Sequence, residues 1–141
     1  MQFSKFQGNG NDFIIIDNID GRLNLTNKEV QFLCNRRLGI GADGLILLNY
    51  FESSDFEMVY YNSDGNIGSM CGNGGRCISA FAHMNNIAGE NQSFIAFDGC
   101  HEAIILGKNN TNMEWDVKLK LSKVTEVEEN HGNYLINTGD H

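Results

Sequence analysis

The sequence predicts an α+β domain in which a mostly antiparallel, β-barrel-like sheet wraps around a central helix. About eight segments have strand character and are joined by hairpin-like turns, without the strand-helix alternation that marks a parallel sheet. The helical segment after residue 72 is apolar over much of its surface, which is typical of a helix buried inside a fold. The 141 residues are 41% hydrophobic, enough to form a core without disulfide bonds.

The strands are predicted from runs of β-branched and aromatic residues bounded by glycine and asparagine turns. In chain order they occupy residues 3–7, 13–16, 45–50, 56–61, 93–97, 100–106, 113–121 and a last segment from residue 134. Apolar and charged side chains alternate from Met113 onward, so one side of this strand is expected to be buried and the other solvated. Asp98 and Gly99 are expected to form a type I′ hairpin turn, and residues 62–66 a second strong turn.

The first helix is predicted from a capping box at residues 26–29, followed by apolar residues at helical spacing. We expect it to continue to Gly39, which supplies a stop signal. Cys34 is interpreted as a packed core thiol. Arg36 and Arg37 are interpreted as a solvated helix end whose charge complements the helix dipole.

Composition excludes several classes of function. The net charge of −8 argues against nucleic acid or an anionic membrane surface as a partner. No basic region precedes an apolar stretch at the start, and the longest apolar runs are too short to span a bilayer. The four cysteines lack the spacing of a disulfide framework, so a cytoplasmic location is expected. A strand pattern from Tyr134 runs almost to the last residue, so we expect the chain to be part of a longer protein.

The strongest functional signal is Cys71, which directly precedes a glycine-rich turn and the second predicted helix. Free N–H groups and the positive end of a helix dipole favour a thiolate there, and they also hold carboxylates. Gly72, Gly74 and Gly75 would let backbone amides approach a ligand closely. We therefore predict a reactive thiol beside an anion site, while a purely structural role for this cysteine remains the alternative. Cys77, inside the helix, is interpreted as a small buried hydrophobe.

Other chemistries are weaker. A zinc site would need a set whose spacing is wrong for a structural site, namely Cys71, Cys77, Cys100 and His101. A cysteine hydrolase would need a histidine base, for which His83, His101, His131 and His141 are candidates by type alone. The glycines of 39–44 follow a helix and precede a strand, the reverse of a nucleotide-binding loop. Asn11 and Asp12, at a strand entrance, are explained either by local turn chemistry or by a site.

Four motifs occur together and in order, at residues 9–13, 35–44, 61–65 and 70–77. In combination they resemble the N-terminal half of diaminopimelate epimerase. The resemblance implies a fold of two similar lobes, each a barrel-like sheet around a central helix, with the active site in the cleft between them. On this resemblance, residues 1–141 would be the N-terminal lobe, and the C-terminal lobe is expected to be absent from this chain.

The resemblance also implies an activity: interconversion of LL- and meso-diaminopimelate, on the route to lysine and peptidoglycan, without pyridoxal phosphate or metal. One cysteine from each lobe faces the substrate α-carbon, one removing the α-proton and the other returning a proton to the opposite face. Cys71 matches the first-lobe cysteine. The full-length protein is expected to be a homodimer.

Further site residues follow from the same resemblance. Gly72 and Asn73 match positions whose backbone amides bind the reacting carboxylate. Asn11 and Asn62 match substrate-binding asparagines. Position 44 is often glutamine in the family, so Gly44 can offer a backbone contact alone.

The chain departs from the family pattern in two ways. The matches for a second lobe and for its cysteine are missing, because Cys34, Cys77 and Cys100 do not fit the partner motif. The family continues Gly-x-Pro-His where this chain ends with Asp140 and His141. We therefore expect no epimerisation by this chain alone. The alternatives are another isomerase of the superfamily, proline-racemase-like or phenazine-biosynthesis-like, and a non-catalytic anion-binding module.

Overall fold

A computed structural model describes residues 1–109 and 113–120 in full, with the backbone of residues 126–130 and 133–137. Two helices lie in the described part, α1 at Asn27–Cys34 and α2 at Gly72–Met84. The described strands are β1 Ser4–Gly8, β2 Asn11–Asn18, β3 Gly44–Asn49, β4 Phe56–Asn62, β5 Asn91–Ala96, β6 Gly99–Asn109, β7 Glu114–Leu119, β8 Glu126–Asn130 and β9 Asn133–Asn137. No helix in these residues is long and apolar enough to cross a membrane.

Strands β1 to β7 form one seven-stranded sheet in sequence order, and β8 pairs with β9 in a separate two-stranded antiparallel sheet. Helix α2 contacts β1 and β7, the two edges of the larger sheet, and strands between them. A straight helix can touch both edges only if the sheet curls around it. The predicted central helix inside a curled sheet is therefore confirmed, as a half-barrel.

The strand directions correct one expectation. Four of the six neighbouring pairs in the large sheet are antiparallel, but β2–β3 and β4–β5 are parallel. Each parallel pair is connected through a helix, α1 for the first and α2 for the second. A parallel pair needs such a crossover. The expected absence of strand-helix-strand units was wrong, because the helices were recognised but the strands flanking them were not assigned as neighbours.

The core has two parts, one on each face of the sheet. Alternate side chains of β2 and β3 pack with α2 on the inner face, and the others pack with α1 outside. The inner set of these two strands consists of Phe13, Ile15, Ile46 and Leu48, and the outer set of Ile14, Ile16, Leu45 and Leu47. Both faces of β2 and β3 are thus buried, which explains their continuous apolar runs. These two strands form a rigid frame, and Asn11 lies at the start of β2 within it.

Helix α1 begins as predicted but ends early. The Thr26 hydroxyl accepts from the Glu29 N–H at 3.2 Å, and the Glu29 carboxylate accepts from the Thr26 N–H, so the capping box is confirmed. The helix ends at Cys34, which is buried as expected, and the chain folds back so that Gly39 lies against the helix end. A Cβ on Gly39 would lie 2.0 Å from the Phe32 carbonyl oxygen, which leaves no room for a side chain.

Three smaller expectations change. The β5–β6 turn consists of Phe97 and Asp98, one residue earlier than predicted. Neither has positive φ, so the turn is not type I′, and Gly99 with φ +124° follows it. Met113 lies in the turn before β7 rather than in the strand. Within β7 the predicted alternation is confirmed, while residues 121, 131 and 138–141 lie outside the described part.

Candidate active site

Cys71 is the N-cap residue of α2. Its backbone is extended, with φ −100° and ψ 151°, and its Sγ accepts a hydrogen bond from the Gly74 N–H at 3.2 Å. The N–H groups of a helix's first turn have no partner within the helix. The thiol and these free amide groups of Gly72 and Asn73 therefore lie at the same end of α2, as the sequence predicted.

The glycines after Cys71 allow α2 to pack closely against its surroundings. A Cβ on Gly74 would lie 3.2 Å from the Cys71 Sγ and 3.3 Å from the Met58 methyl carbon. A Cβ on Gly75 would lie 2.8 Å from a Leu119 methyl carbon. Both glycines are buried, so the first turn of α2 is pressed into the sheet and its orientation is fixed.

A cleft of about 820 Å³ opens at this helix end. It brings together five predicted site residues, which are Asn11, Asn62, Cys71, Gly72 and Asn73. It is also lined by residues to which the sequence assigned no role: Tyr60, Ile67, Gly68, Ser69, Arg76 and Phe97. Residues from β2, β4, α2 and the β5–β6 turn thus converge on one surface.

Asn62 is held at the end of β4 by the predicted turn, which the structure confirms. Its N–H donates to the Asn66 carbonyl at 2.8 Å, and its carbonyl accepts from the Gly65 N–H at 2.9 Å. Gly65 has φ +90°, a conformation that favours glycine. The turn rests on α1 through a hydrogen bond from the Asn27 side chain to that of Asn66, at 3.3 Å. Asn62 therefore meets the cleft from a fixed position.

Asn11 is held by ionic residues and not by local turn chemistry. Its Nδ2 donates to the Asp43 carboxylate at 2.8 Å, and Arg36 binds both Asp43 and Asp12. The guanidinium hydrogen bonds from Arg36 hold the pKa of the Asp12 carboxyl well below its usual range. Arg36 and Arg37 are both exposed, as interpreted, but they lie beyond the end of α1 at Cys34, and Arg36 pairs with two carboxylates rather than complementing a helix dipole.

Asn73 and Arg76 form a polar group on the first turns of α2. The Asn73 Oδ1 accepts from the Arg76 guanidinium and, at 3.3 Å, from the Asn9 Nδ2 in the β1–β2 turn. Arg76 brings a positive charge to the cleft wall beside the free helix amides. Both features favour an anionic group at this end of the cleft. Arg76 belongs to the motif at 70–77 and is three residues after Asn73, so their contact could have been predicted from the helical spacing.

Gly44 does not line the cleft, because the ring of Tyr60 covers it. A Cβ on Gly44 would lie 2.6 Å from the Tyr60 Cε2. Burial raises the pKa of the Tyr60 hydroxyl to about 12, so the phenol stays protonated at neutral pH. Strand periodicity could have found this residue, since Tyr60 shares a face of β4 with Asn62.

The other cysteines lie outside the cleft lining. Cys77 is buried, and burial raises the pKa of its thiol to about 12, in agreement with a core role. Cys34 is also buried and Cys100 is exposed. Of the residues considered for zinc, His101 instead binds Asp98 at 2.8 Å. Within the described part of the chain, no three His, Cys, Asp or Glu side chains are placed to hold a metal ion.

Comparison with known proteins relates this site to a family. The family model described as diaminopimelate epimerase matches residues 3–134. The diaminopimelate epimerase of Flavobacterium psychrophilum is 51% identical over 99% of this chain and 52% of its own length. That of Chlorobaculum tepidum is 50% identical over 75% of this chain and 42% of its own length. The chain thus spans about half the length of the curated relatives it matches.

Solved structures share the fold at low sequence identity. A phenazine biosynthesis protein of the PhzF family from Bacillus anthracis has a TM-score of 0.61 and 19% identity, covering 89% of this chain and 40% of its own. A probable proline racemase from Agrobacterium radiobacter has a TM-score of 0.61 and 14% identity, covering 90% of this chain and 44% of its own. These similarities establish the architecture, whereas the sequence match extends over nearly the whole chain. The chain belongs to the diaminopimelate epimerase family.

Proposed function

We propose that residues 1–141 form the N-terminal lobe of a diaminopimelate epimerase and that Cys71 is one of its two acid–base groups. The observation that carries the proposal is the placement of Cys71. Its thiol lies at the N-terminus of α2, in the cleft lining, beside the free amides of Gly72 and Asn73. A base and an anion site are thereby adjacent, as abstraction of a proton next to a carboxylate requires.

The proposed chemistry starts with the substrate carboxylate at the end of α2. The Cys71 thiolate takes the α-proton, and the electron pair of the C–H bond remains on the substrate as a carbanion delocalised into the carboxylate. The first-turn amides stabilise the charge that develops there. A thiol on the opposite face then donates a proton to the α-carbon and becomes a thiolate. Configuration is inverted and the proton count balances without a cofactor or a metal.

The second thiol has to come from outside this lobe. Cys34 and Cys77 are buried in the two core clusters, and Cys100 is not part of the cleft lining. The family resemblance supplies a second lobe, which would close the cleft and bring the partner cysteine. The isolated chain is therefore expected to bind diaminopimelate weakly and not to epimerise it. We further propose that the full-length enzyme is a homodimer in the reducing cytoplasm, to which four free thiols are suited.

The substrate assignment rests on the family match and not on the fold. The structural neighbours carry different names, and one architecture hosts many activities. Sequence identity of 51% to a diaminopimelate epimerase supports this substrate over a cyclic amino acid. We expect the site to recognise diaminopimelate through its carboxylates and ammonium groups. No nucleic acid or membrane partner is proposed, given the net charge of −8.

Thiol alkylation tests the proposal. The protein to use is the two-lobed enzyme, meaning this chain joined to the second lobe of its family, treated with iodoacetamide and analysed by mass spectrometry. We expect Cys71 to be alkylated and diaminopimelate to slow that reaction at least about tenfold. Cys100, which is exposed, is the internal control and should react at the same rate with and without substrate. Labelling of Cys71 that diaminopimelate does not slow would favour the non-catalytic module.

A further inference from the structure

We propose that Arg36 is a positioning residue: through Asp43 it holds Asn11 so that the Asn11 carbonyl oxygen accepts a hydrogen bond from the substrate's ammonium group. The inference rests on the proposed function, because it assigns a role to one residue of that site. Arg36 and Asp43 themselves lie outside the cleft lining, so they would act on the substrate only through Asn11.

The parallel pairing of β2 and β3 creates the need for Arg36. Phe13 pairs with Gly44, so the preceding residues, Asp12 and Asp43, lie side by side at the start of the two strands. The Asp43 N–H donates to the Asp12 carbonyl at 3.0 Å, which fixes this alignment. Two neighbouring carboxylates repel each other unless a cation lies between them.

Arg36 is that cation, and it binds with a geometry that lysine cannot reproduce. Its Nη1 and Nη2 donate to the two oxygens of Asp12 at 3.1 and 2.8 Å, and Nη2 also donates to the Asp43 Oδ1 at 3.1 Å. Lys5 also binds Asp12, with its Nζ 2.9 Å from Oδ2. We call these four residues the Arg36 cluster. A planar guanidinium can serve two carboxylates at once, whereas an ammonium acts as a point charge.

The cluster sets the polarity of the Asn11 side chain. The Asp43 Oδ1 accepts from Arg36 and its Oδ2 accepts from the Asp12 backbone N–H at 3.1 Å. Both oxygens are acceptors, so the group that Asn11 presents to Oδ2 at 2.8 Å must be its Nδ2. A flipped amide would place an oxygen against a carboxylate. The Oδ1 of Asn11 is therefore left for a ligand.

This polarity selects a donor. A ligand carboxylate approaching the Asn11 amide nitrogen would meet the charge of Asp43, which is bound to the same atom. A ligand ammonium would instead find the free carbonyl oxygen. The same cleft lining contains Arg76 and the helix amides, which favour a carboxylate. The cleft of this lobe thus offers an acceptor for a substrate ammonium group and a site for a substrate carboxylate.

The alternative is that the Arg36 cluster serves only to join the loop after α1 to the sheet. Substitution would then lower stability and weaken every ligand to the same degree. A positioning role weakens only ligands that carry the ammonium group. The matched pair Arg36→Lys and Arg37→Lys separates these cases, because both keep the charge and Arg37 is exposed beside the cluster.

The steady-state test uses the two-lobed enzyme. Arg36→Lys should raise KM for diaminopimelate about tenfold, the loss of one hydrogen bond to a charged group, with kcat changed less than about threefold. The inhibition constant of pimelate, which has the two carboxylates without the ammonium groups, should stay unchanged. Arg37→Lys should change neither value. Equal weakening of diaminopimelate and pimelate by Arg36→Lys would overturn the inference.

A second readout does not depend on activity. In the 141-residue chain, the side-chain amide protons of Asn11 can be followed by NMR and assigned by their loss in Asn11→Ala. We expect them to exchange with solvent faster in Arg36→Lys than in the wild type or Arg37→Lys. Equal exchange in all three proteins would show that Arg36 does not hold Asn11. An inactive wild-type two-lobed enzyme would refute the proposed function, and the exchange rates would still decide the role of Arg36.

Discussion

The turn at Gly65 offers a quantitative test of how the cleft is built. Gly65 has φ +90°, and a Cβ there would lie 2.1 Å from the Asn27 carbonyl oxygen. Real Cβ atoms stay at least about 3 Å from such an oxygen, so Gly65→Ala requires backbone movement of about 1 Å at the start of α1. Two other glycines serve as controls that separate the cost of the backbone conformation from the cost of the clash. Gly10 has φ +83° with nothing within 4 Å, and Gly89 also has open space, without a positive φ.

The three alanine variants should differ in a fixed order. Gly89→Ala should be neutral or up to about 1 kcal/mol more stable, because alanine restricts the unfolded chain. Gly10→Ala should be about 1–2 kcal/mol less stable, the cost of a left-handed backbone at a non-glycine residue. Gly65→Ala carries that cost plus the backbone clash, so a loss of about 3 kcal/mol or more is expected.

Urea denaturation of the 141-residue chain, followed by circular dichroism, measures these free energies of unfolding. Because the Gly65 turn places Asn62, the same variant should also weaken substrate binding in the two-lobed enzyme. Equal stability of Gly65→Ala and Gly10→Ala would show that the turn does not press on α1, and the reasoning about how Asn62 is held would be refuted.

Three further predictions concern single side chains. Tyr60→Phe removes a cleft hydroxyl but keeps the ring over Gly44. The KM of the two-lobed enzyme should therefore rise about three- to tenfold, while the free energy of unfolding changes by less than about 1 kcal/mol. An unchanged KM would exclude a contact between this hydroxyl and the substrate. Because Arg36 depresses the pKa of Asp12, this carboxylate stabilises the fold above its ordinary pKa of about 3.9 and loses that effect as pH falls. The stability difference between the wild type and Asp12→Asn should therefore shrink between about pH 5 and 2, and a constant difference would contradict the ion pairing. With its pKa raised to about 12, Cys77 should resist iodoacetamide at pH 8 in the folded chain and react after denaturation, which peptide mapping can check.

Local signals predicted the parts of the site that depend on short stretches of sequence. The cysteine before a glycine-rich helix start identified the N-cap thiol of α2, and the asparagine-glycine turn identified the position of Asn62. The capping box at the start of α1 was visible for the same reason, since its two partners are three residues apart.

Long-range pairing explains what the sequence could not reveal. Arg36 and Asp12 are 24 residues apart, and they meet only because β2 and β3 are parallel in one particular register. That pairing was not predicted, so the ion pairs of the exposed Arg36 with Asp12 and Asp43 were missed. Phe97 reaches the cleft from a hairpin tip that nothing in its own segment relates to Cys71. Strand periodicity could have placed Tyr60 on the same face of β4 as Asn62. Its contact with Gly44 could not have been predicted, because it depends on the pairing of β3 with β4.

The central claim is that Cys71 moves the substrate's α-proton. Incubating LL-diaminopimelate with the two-lobed enzyme in deuterium oxide, and following the meso product and its α-deuterium by NMR, measures this directly. We predict that the wild type forms α-deuterated meso product and that Cys71→Ala lowers this inversion at least about 100-fold, while Cys100→Ala leaves it unchanged. Inversion by Cys71→Ala at a rate close to that of the wild type would contradict the account.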